Sequence, residues 1–242
     1  MRTRTMGVAL VTGVADAIGS AVAQRLASDG FDVVAQYSGS AAHARALVAE
    51  IEATGGRAIA IEADMGSLIE VEALFAEAEA RLGGIDAVVH CADATSPSGT
   101  GAIDVDLLDS ATDVCGTLFV LSRAARSLFN GGRIVFFSSS LDGASLAGCG
   151  QYGFSIASVE RFVRFLANNT RRRNITVNAL APAPFTSPLS HARSGEELDG
   201  QILSLIPRAD QPEDVANVIS FLVGPEGAWV NGQVLRGNCA LV

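Results

Sequence analysis

Short apolar runs alternate with helix-spaced stretches along the whole chain, and no other feature constrains the fold as strongly. The first run, GVALVT at Gly7–Thr12, is apolar at nearly every position instead of every second one. A strand of that kind is covered on both faces, as in a parallel sheet lying between helices. The pattern then predicts a helix over Ala17–Ser28, a strand over Phe31–Tyr37, a helix over Ala41–Ala53 and a strand over 57–63. A helix over 67–82, a strand over 85–91, a long helix over 105–129 and a strand over 133–139 follow. A second long helix over 151–173 leads to a strand over 175–180. Beyond a polar segment with Pro182, Pro184 and Pro188, a helix over 213–223 and a strand over 233–236 complete the order. The expected fold class is α/β, a single-domain doubly wound (Rossmann-type) parallel sheet with helices on both faces, spanning 1–242. No linker, repeat or low-complexity segment interrupts it.

A chain of 242 residues, 49% of them hydrophobic, buries a substantial core and is not disordered. Its apolar runs fall well short of the roughly 20 residues that a membrane-spanning helix needs. The start, Met1-Arg2-Thr3-Arg4-Thr5, is basic, but the apolar run behind it stops at Thr12-Gly13, too short for a signal peptide. A cytoplasmic protein is the expectation. The net charge of −9 argues against nucleic acid or an anionic membrane as partner. All 17 basic residues are arginine. Without lysine there is no Schiff base, no pyridoxal-phosphate anchor, no phosphate-loop amine and no lysine-tuned phenol. Cys91, Cys115, Cys149 and Cys239 lack metal-ligand spacing and read as buried free thiols.

Between the first strand and first helix stands Thr12-Gly13-Val14-Ala15-Asp16-Ala17-Ile18-Gly19. Ala63-Asp64-Met65 follows the third strand, Ser139 and Tyr152 flank the start of the second long helix, and 175–182 reads Ile-Thr-Val-Asn-Ala-Leu-Ala-Pro. In this order and spacing, ending on Gly232-Gln233-Val234-Leu235, the chain resembles the short-chain dehydrogenase/reductase family from end to end. The resemblance implies reversible hydride transfer between NAD or NADP and a carbonyl or alcohol, commonly in homotetramers. It makes Gly13, Asp16, Ala17, Ile18 and Gly19 the pyrophosphate turn and Asp64 and Met65 the adenine contact. Tyr37, Ser38, His90 and Ala92 become further candidates for holding the cofactor.

The catalytic candidates implied are Ser139, Tyr152 and Asp113. A tyrosine acting as general acid needs its pKa brought down from about 10. The family's lysine, one helical turn on, supplies that charge and holds the cofactor ribose; here the position is Ile156. Arg161, nine residues past Tyr152, faces away on a helix. Asp113 occupies the position of the family's fourth catalytic residue, an asparagine, and a carboxylate there raises a nearby phenol's pKa. Read as a packing pair, Ser139 and Tyr152 also need no function.

The cofactor side departs in parallel. Ala17 replaces the family's middle glycine, and Asp16 brings like charge to a phosphate at a helix N-terminus. His90-Cys91-Ala92-Asp93 stands for Asn-Asn-Ala-Gly, Pro182-Ala183 for Pro-Gly, and Gly237-Asn238-Cys239-Ala240 departs from an Asp-Gly-Gly tail. Gln36-Tyr37-Ser38 offers no acid for a ribose hydroxyl. Ser38, Ser40, His43 and Arg45 suit a 2′-phosphate, although solvated loop residues are the plainer reading. His90, Cys91 and Asp93 offer the residue types of a metal or nucleophile site, but neighbouring strand residues point to opposite faces, which makes it the lesser reading. Arg171-Arg172-Arg173 complements the dipole of the long helix it ends.

The readings stand in this order. The first is a non-catalytic subunit with impaired or lost hydride transfer that pairs with an active dehydrogenase. The second is an active NAD(P)-dependent oxidoreductase on a carbonyl or alcohol, using Ser139 and Tyr152. The third is a non-redox catalyst of proton transfer, dehydration or cyclisation around Asp113, Ser139 and Tyr152. An oligomer is expected, homomeric or with an active relative, built through the long helices and the C-terminal strand region. The segment 185–206 corresponds to the family's substrate lid and names no substrate.

Overall fold

In the computed structural model the chain is described at residues 6–39, 41–91, 106–138, 150–182 and 211–237, with the backbone alone at 106–113 and 150–156. The elements are β1 (Gly7–Thr12), α1 (Ala17–Ser28), β2 (Phe31–Tyr37), α2 (Ala41–Ala53), β3 (Arg57–Glu62) and α3 (Leu68–Leu82). After them come β4 (Ala87–His90), α4 (Asp106–Ser127), β5 (Arg133–Phe137), α5 (Gly150–Thr170), β6 (Thr176–Pro182), α6 (Pro212–Val223) and β7 (Val234–Gly237).

The strands form a seven-stranded sheet in the order β3-β2-β1-β4-β5-β6-β7, and every neighbouring pair is parallel. Each apolar strand sends alternate residues to opposite faces, which creates two separate cores. On one face Val8, Leu10, Val88 and Ile134 meet Val71 and Phe75 of α3, Val120 and Leu121 of α4, and Val163 of α5. On the other, Ala9, Val11, Val33 and Val89 meet Val22 and Leu26 of α1, Leu47 and Ile51 of α2, and Ile219 and Leu222 of α6. The doubly wound sheet that the alternation predicts is the fold observed.

Differences from the sequence reading sit at element ends. Ser67 is not the first helical residue but the cap of α3, its hydroxyl accepting from the Glu70 N–H at 3.4 Å. β4 is shorter than 85–91: the Asp86 carboxylate turns back to accept the Val8 N–H at 2.7 Å, so Ile85 and Asp86 lie outside the strand. β6 runs on to Pro182, which pairs in register with Gly237.

Two expectations are corrected. Cys91 is a buried free thiol, but Cys115 is exposed, because it lies on α4 beside Gly116, the residue that turns inward. Cys149 and Cys239 lie outside the described residues. The arginine triplet forms a 3-10 turn, Arg171–Arg173, and Arg173 serves α4 instead of its own helix. Its guanidinium donates to the carbonyls of Ala125 (2.6 Å), Arg126 (3.5 Å) and Leu128, the groups left open where α4 ends. Among the described residues no helix is long and apolar enough to cross a membrane.

Candidate functional site

The strand order reverses between β1 and β4, and in open parallel sheets the crevice beyond the carboxyl ends of such strands is where ligands bind. From the end of β1 the turn Gly13-Val14-Ala15-Asp16 leads directly into α1. α1 lies so close to this turn that a Cβ on Gly19 would sit 2.3 Å from the Gly13 carbonyl oxygen. Glycine is therefore required at 19 by contact and not by backbone angle. The turn is tied to its neighbours by Val14 N–H donating to the Gln36 carbonyl at 3.1 Å.

Gln36 does more than lack an acid. Its buried side chain accepts the Gly13 N–H at 2.8 Å and donates to the Ala63 carbonyl at 2.7 Å, so one amide links the ends of β1, β2 and β3. The signal was present as a polar residue inside the apolar strand FDVVAQY, since a buried amide demands partners. Gln36→Leu leaves both groups unpaired and is expected to cost about 2 kcal/mol or more of stability, measured by urea denaturation. It should also weaken dinucleotide binding if the turn carries it.

At the N-terminus of α1, Asp16 is the capping residue yet makes no side-chain hydrogen bond to the helix. The first-turn N–H groups therefore carry no side-chain cap and keep their attraction for an anion. Ala17 is exposed and Ile18 half-buried beside them. The Asp16 carboxylate lies close to Cys91: burial first, and that charge second, push the Cys91 thiol up, so it stays protonated and is no nucleophile. Tyr37 is buried at the end of β2, while Ser38 is exposed. Asp64 is exposed after β3; its carboxylate accepts the Gly66 N–H at 2.9 Å and its own N–H donates to Glu70 at 2.7 Å. Met65 is packed against the core, and its carbonyl lies where a Cβ on Gly116 would come within 2.5 Å, so α4 rests directly on this loop.

These residues fit a nicotinamide dinucleotide in their backbone frame. The α1 turn would take the pyrophosphate, Ser38 the adenosine ribose side and Asp64 with Met65 the adenine, against the added charge of Asp16. When bound, that group would supply or accept a hydride. Ala92 lies outside the described residues.

His90 ends β4. Its imidazole is buried, with Nδ1 2.8 Å from Thr12 Oγ1 and Nε2 3.2 Å from Thr117 Oγ1, and it stacks on Phe136 at 6.1 Å. Burial lowers its pKa to about 4, so it is neutral at pH 7. The ring binds β1, β4 and α4 together. Cys91, the next residue, belongs to the opposite core, as strand alternation requires. Among the described residues no three His, Cys, Asp or Glu side chains are grouped to hold a metal.

Ser139 lies outside the described residues, and so does the lid-like segment 185–206. Tyr152 and Asp113 are placed by backbone, on α5 and α4. On α5, positions 152, 156 and 160 follow at one-turn spacing along a single face, with isoleucine in the middle. Asp113 stands one turn before Thr117, the residue that His90 holds. The last described residue before Ser139 is Ser138, buried, whose hydroxyl donates to Glu160 Oε1 at 2.6 Å. The other oxygen of Glu160 lies 3.5 Å from a guanidinium nitrogen of Arg236 on β7. No local spacing could show that an arginine so far along the chain reaches the turn after Ile156.

A family model described as enoyl-(acyl carrier protein) reductase matches residues 13–238. Short chain dehydrogenase/reductase nsrJ of Aspergillus novofumigatus is 36% identical over 244 residues, covering 94% of this chain and 92% of its own. Hydroxynaphthalene reductase-like protein Arp2 of Metarhizium robertsii is 35% identical over 257 residues, covering 97% and 94%. The crystal structure of a short chain dehydrogenase from Burkholderia cenocepacia in complex with NADP superposes with a TM-score of 0.89 at 34% identity, over 99% of both chains. Sheet order, the glycine-bearing turn at its reversal and likeness over nearly the full length agree, and the chain belongs to the short-chain dehydrogenase/reductase family.

Proposed function

We propose that this chain is a dehydrogenase-family subunit in which hydride transfer is impaired, and that it works as the non-catalytic partner of an active relative. One observation carries the reading. α5 sets position 156 one turn beyond Tyr152, where the family resemblance calls for a lysine, and the residue is isoleucine in a chain without any lysine. Isoleucine supplies neither the charge that favours phenolate nor a donor for a ribose. Arg236 pairs with Glu160, one turn beyond position 156 on α5. The framework, by contrast, is intact: Gln36, Gly19 and His90 all hold the crevice together. Selection on shape without selection on proton transfer leaves this combination. The outer side of α5 adds support for assembly, with Phe165 59% exposed and stacked on Phe162, on a helix where Arg161 and Arg164 are also exposed.

A second reading, an active NAD(P)-dependent reductase, is favoured by the names of the relatives and by the NADP in the Burkholderia structure. Calorimetric titration with NAD, NADH, NADP and NADPH, followed by a carbonyl-reduction assay, separates the two. Trp229 is 81% exposed on the 3-10 turn after α6, which makes heat a better reporter than its fluorescence. The subunit reading expects dinucleotide binding that is weak or absent, and turnover far below the 1–10³ s⁻¹ typical of enzymes. Turnover within that range overturns it. Purification from the native host only as a homo-oligomer counts against the partner role.

A further inference from the structure

The outer face of α5 is basic in a chain whose net charge is −9. α5 buries Val159, Val163, Leu166 and Ala167 in the core and exposes Arg161, Arg164, Phe165 and Asn168. Positions 164, 165 and 168 follow 161 at helical spacing, which puts all four on one side of the helix. The 3-10 turn that continues α5 exposes Arg171 and Arg172, so the basic stretch is about 17 Å long. Between 150 and 173 the one acidic residue is Glu160, and its carboxylate is taken up by Ser138 and Arg236. Other arginines are neutralised within the fold: Arg25 by Asp29, Arg57 by Asp32, Arg81 by Glu77, and Arg123 and Arg126 by Glu72. Among the described residues Arg161, Arg164, Arg171 and Arg172 meet no carboxylate.

Four such guanidiniums around an exposed phenylalanine have the make-up of a docking face, since arginine and aromatic anchors concentrate at interfaces. A second copy of the chain is a poor occupant. Identical subunits joined through one face meet about a two-fold axis, so the stripe would lie against its own like charges. Nucleic acid and anionic membranes are extended polyanions, which the net charge of −9 opposes over the rest of the surface. A helix of a different protein, acidic at one-turn spacing and with an apolar socket for Phe165, supplies opposite charge over this length alone.

We infer that the outer face of α5 docks an acidic helix of a second, different protein chain. Arg161, Arg164, Arg171 and Arg172 attract that helix and repel another copy of themselves, and Phe165 is the apolar anchor. Specificity of this kind combines attraction to one partner with repulsion of another. The inference rests on the reading of this chain as one subunit of a mixed assembly, and it adds the chemistry of the surface that the partner presents.

Two experiments test it, and neither needs turnover. A copy of the chain carrying Arg161→Glu, Arg164→Glu, Arg171→Glu and Arg172→Glu presents an acidic α5 on the same framework, and circular dichroism confirms that it is folded. Fluorescence anisotropy of the unaltered chain, labelled at its N-terminus, is expected to show binding to this copy about 10-fold or more tighter than to an unaltered copy at low salt. The difference should narrow at high salt, where exposed charges are screened. Association through other faces is common to both mixtures and drops out of the comparison. Equal affinities overturn the inference.

The second experiment identifies the natural occupant. Phe165→p-benzoylphenylalanine, produced in the native host and irradiated, is expected to crosslink to a peptide of another chain with Asp or Glu at spacings of three or four residues. A crosslink to a second copy, to nucleic acid, to lipid or to a peptide without such acids overturns the inference, and so does no crosslink at all. If the acidic chain is not a dehydrogenase-family protein, the docking inference stands and the mixed-subunit reading falls. If a dehydrogenase-family chain crosslinks through a helix without acids, that reading stands and the docking inference falls.

Discussion

Ile156→Lys raises turnover with a nicotinamide dinucleotide and a carbonyl substrate by about 100-fold or more over the unaltered chain. The size follows from what a positioned acid contributes, about 10²–10⁴-fold, when its pKa is matched to working pH. A phenol near 10 is a poor match, and a cation one turn away on the same helix face shifts it toward neutrality. The surroundings suit the change, because Glu160 stands one further turn along the same face of α5 as a counter-charge. Ile156→Met is the control, altering shape without adding charge. The gain should appear in kcat and in a pH–rate profile whose acid limb moves with the new cation. A folded lysine variant that binds dinucleotide and shows no gain would mean that the deficit lies elsewhere, with Asp113 or Asp16.

Acid weakens this fold through one imidazole. An exposed histidine has a pKa of about 6.5, and burial in the fold lowers that of His90 to about 4. The folded pKa is the lower one, so below pH 6.5 the unfolded chain binds a proton that the folded chain refuses. Stability from this group is complete above pH 6.5 and is lost progressively as the pH falls toward 4. Integrated over that window, the loss is about 3 kcal/mol. The physical cause is burial: a charged ring between Thr12, Thr117 and Phe136 would have no water and no counter-ion among these contacts. Urea denaturation at pH 7.5, 6, 5 and 4 checks it against His90→Gln, which is less stable at neutral pH but should show a shallower decline. Parallel declines in both proteins would assign the acid sensitivity to other groups.

Much of the architecture was legible in the chain because parallel strands covered on both faces leave a continuous apolar record. GVALVT and FDVVAQY mark β1 and β2 to the residue, and the helices between them follow from spacing. Element ends were less legible, because they depend on single contacts such as Asp86 on Val8 or Ser67 on Glu70. Within the site, the substitution at Ile156 was readable from register alone, since a helix converts four residues of sequence into one turn of space. The task of Gln36 was hidden by its partners, Gly13 and Ala63, which lie on other strands.

By itself, then, the sequence determined the layered α/β class, the place of the glycine turn and the absence of any lysine amine. Each is a local property: periodicity, a short motif, a composition. Tertiary structure alone decided that His90 looks inward, that Arg173 caps α4 and that Arg236 reaches Glu160 beside Ser138. Those outcomes depend on which strands become neighbours. Hydrogen bonds and ion pairs act over a few ångströms in space, whatever separation the chain imposes between their partners.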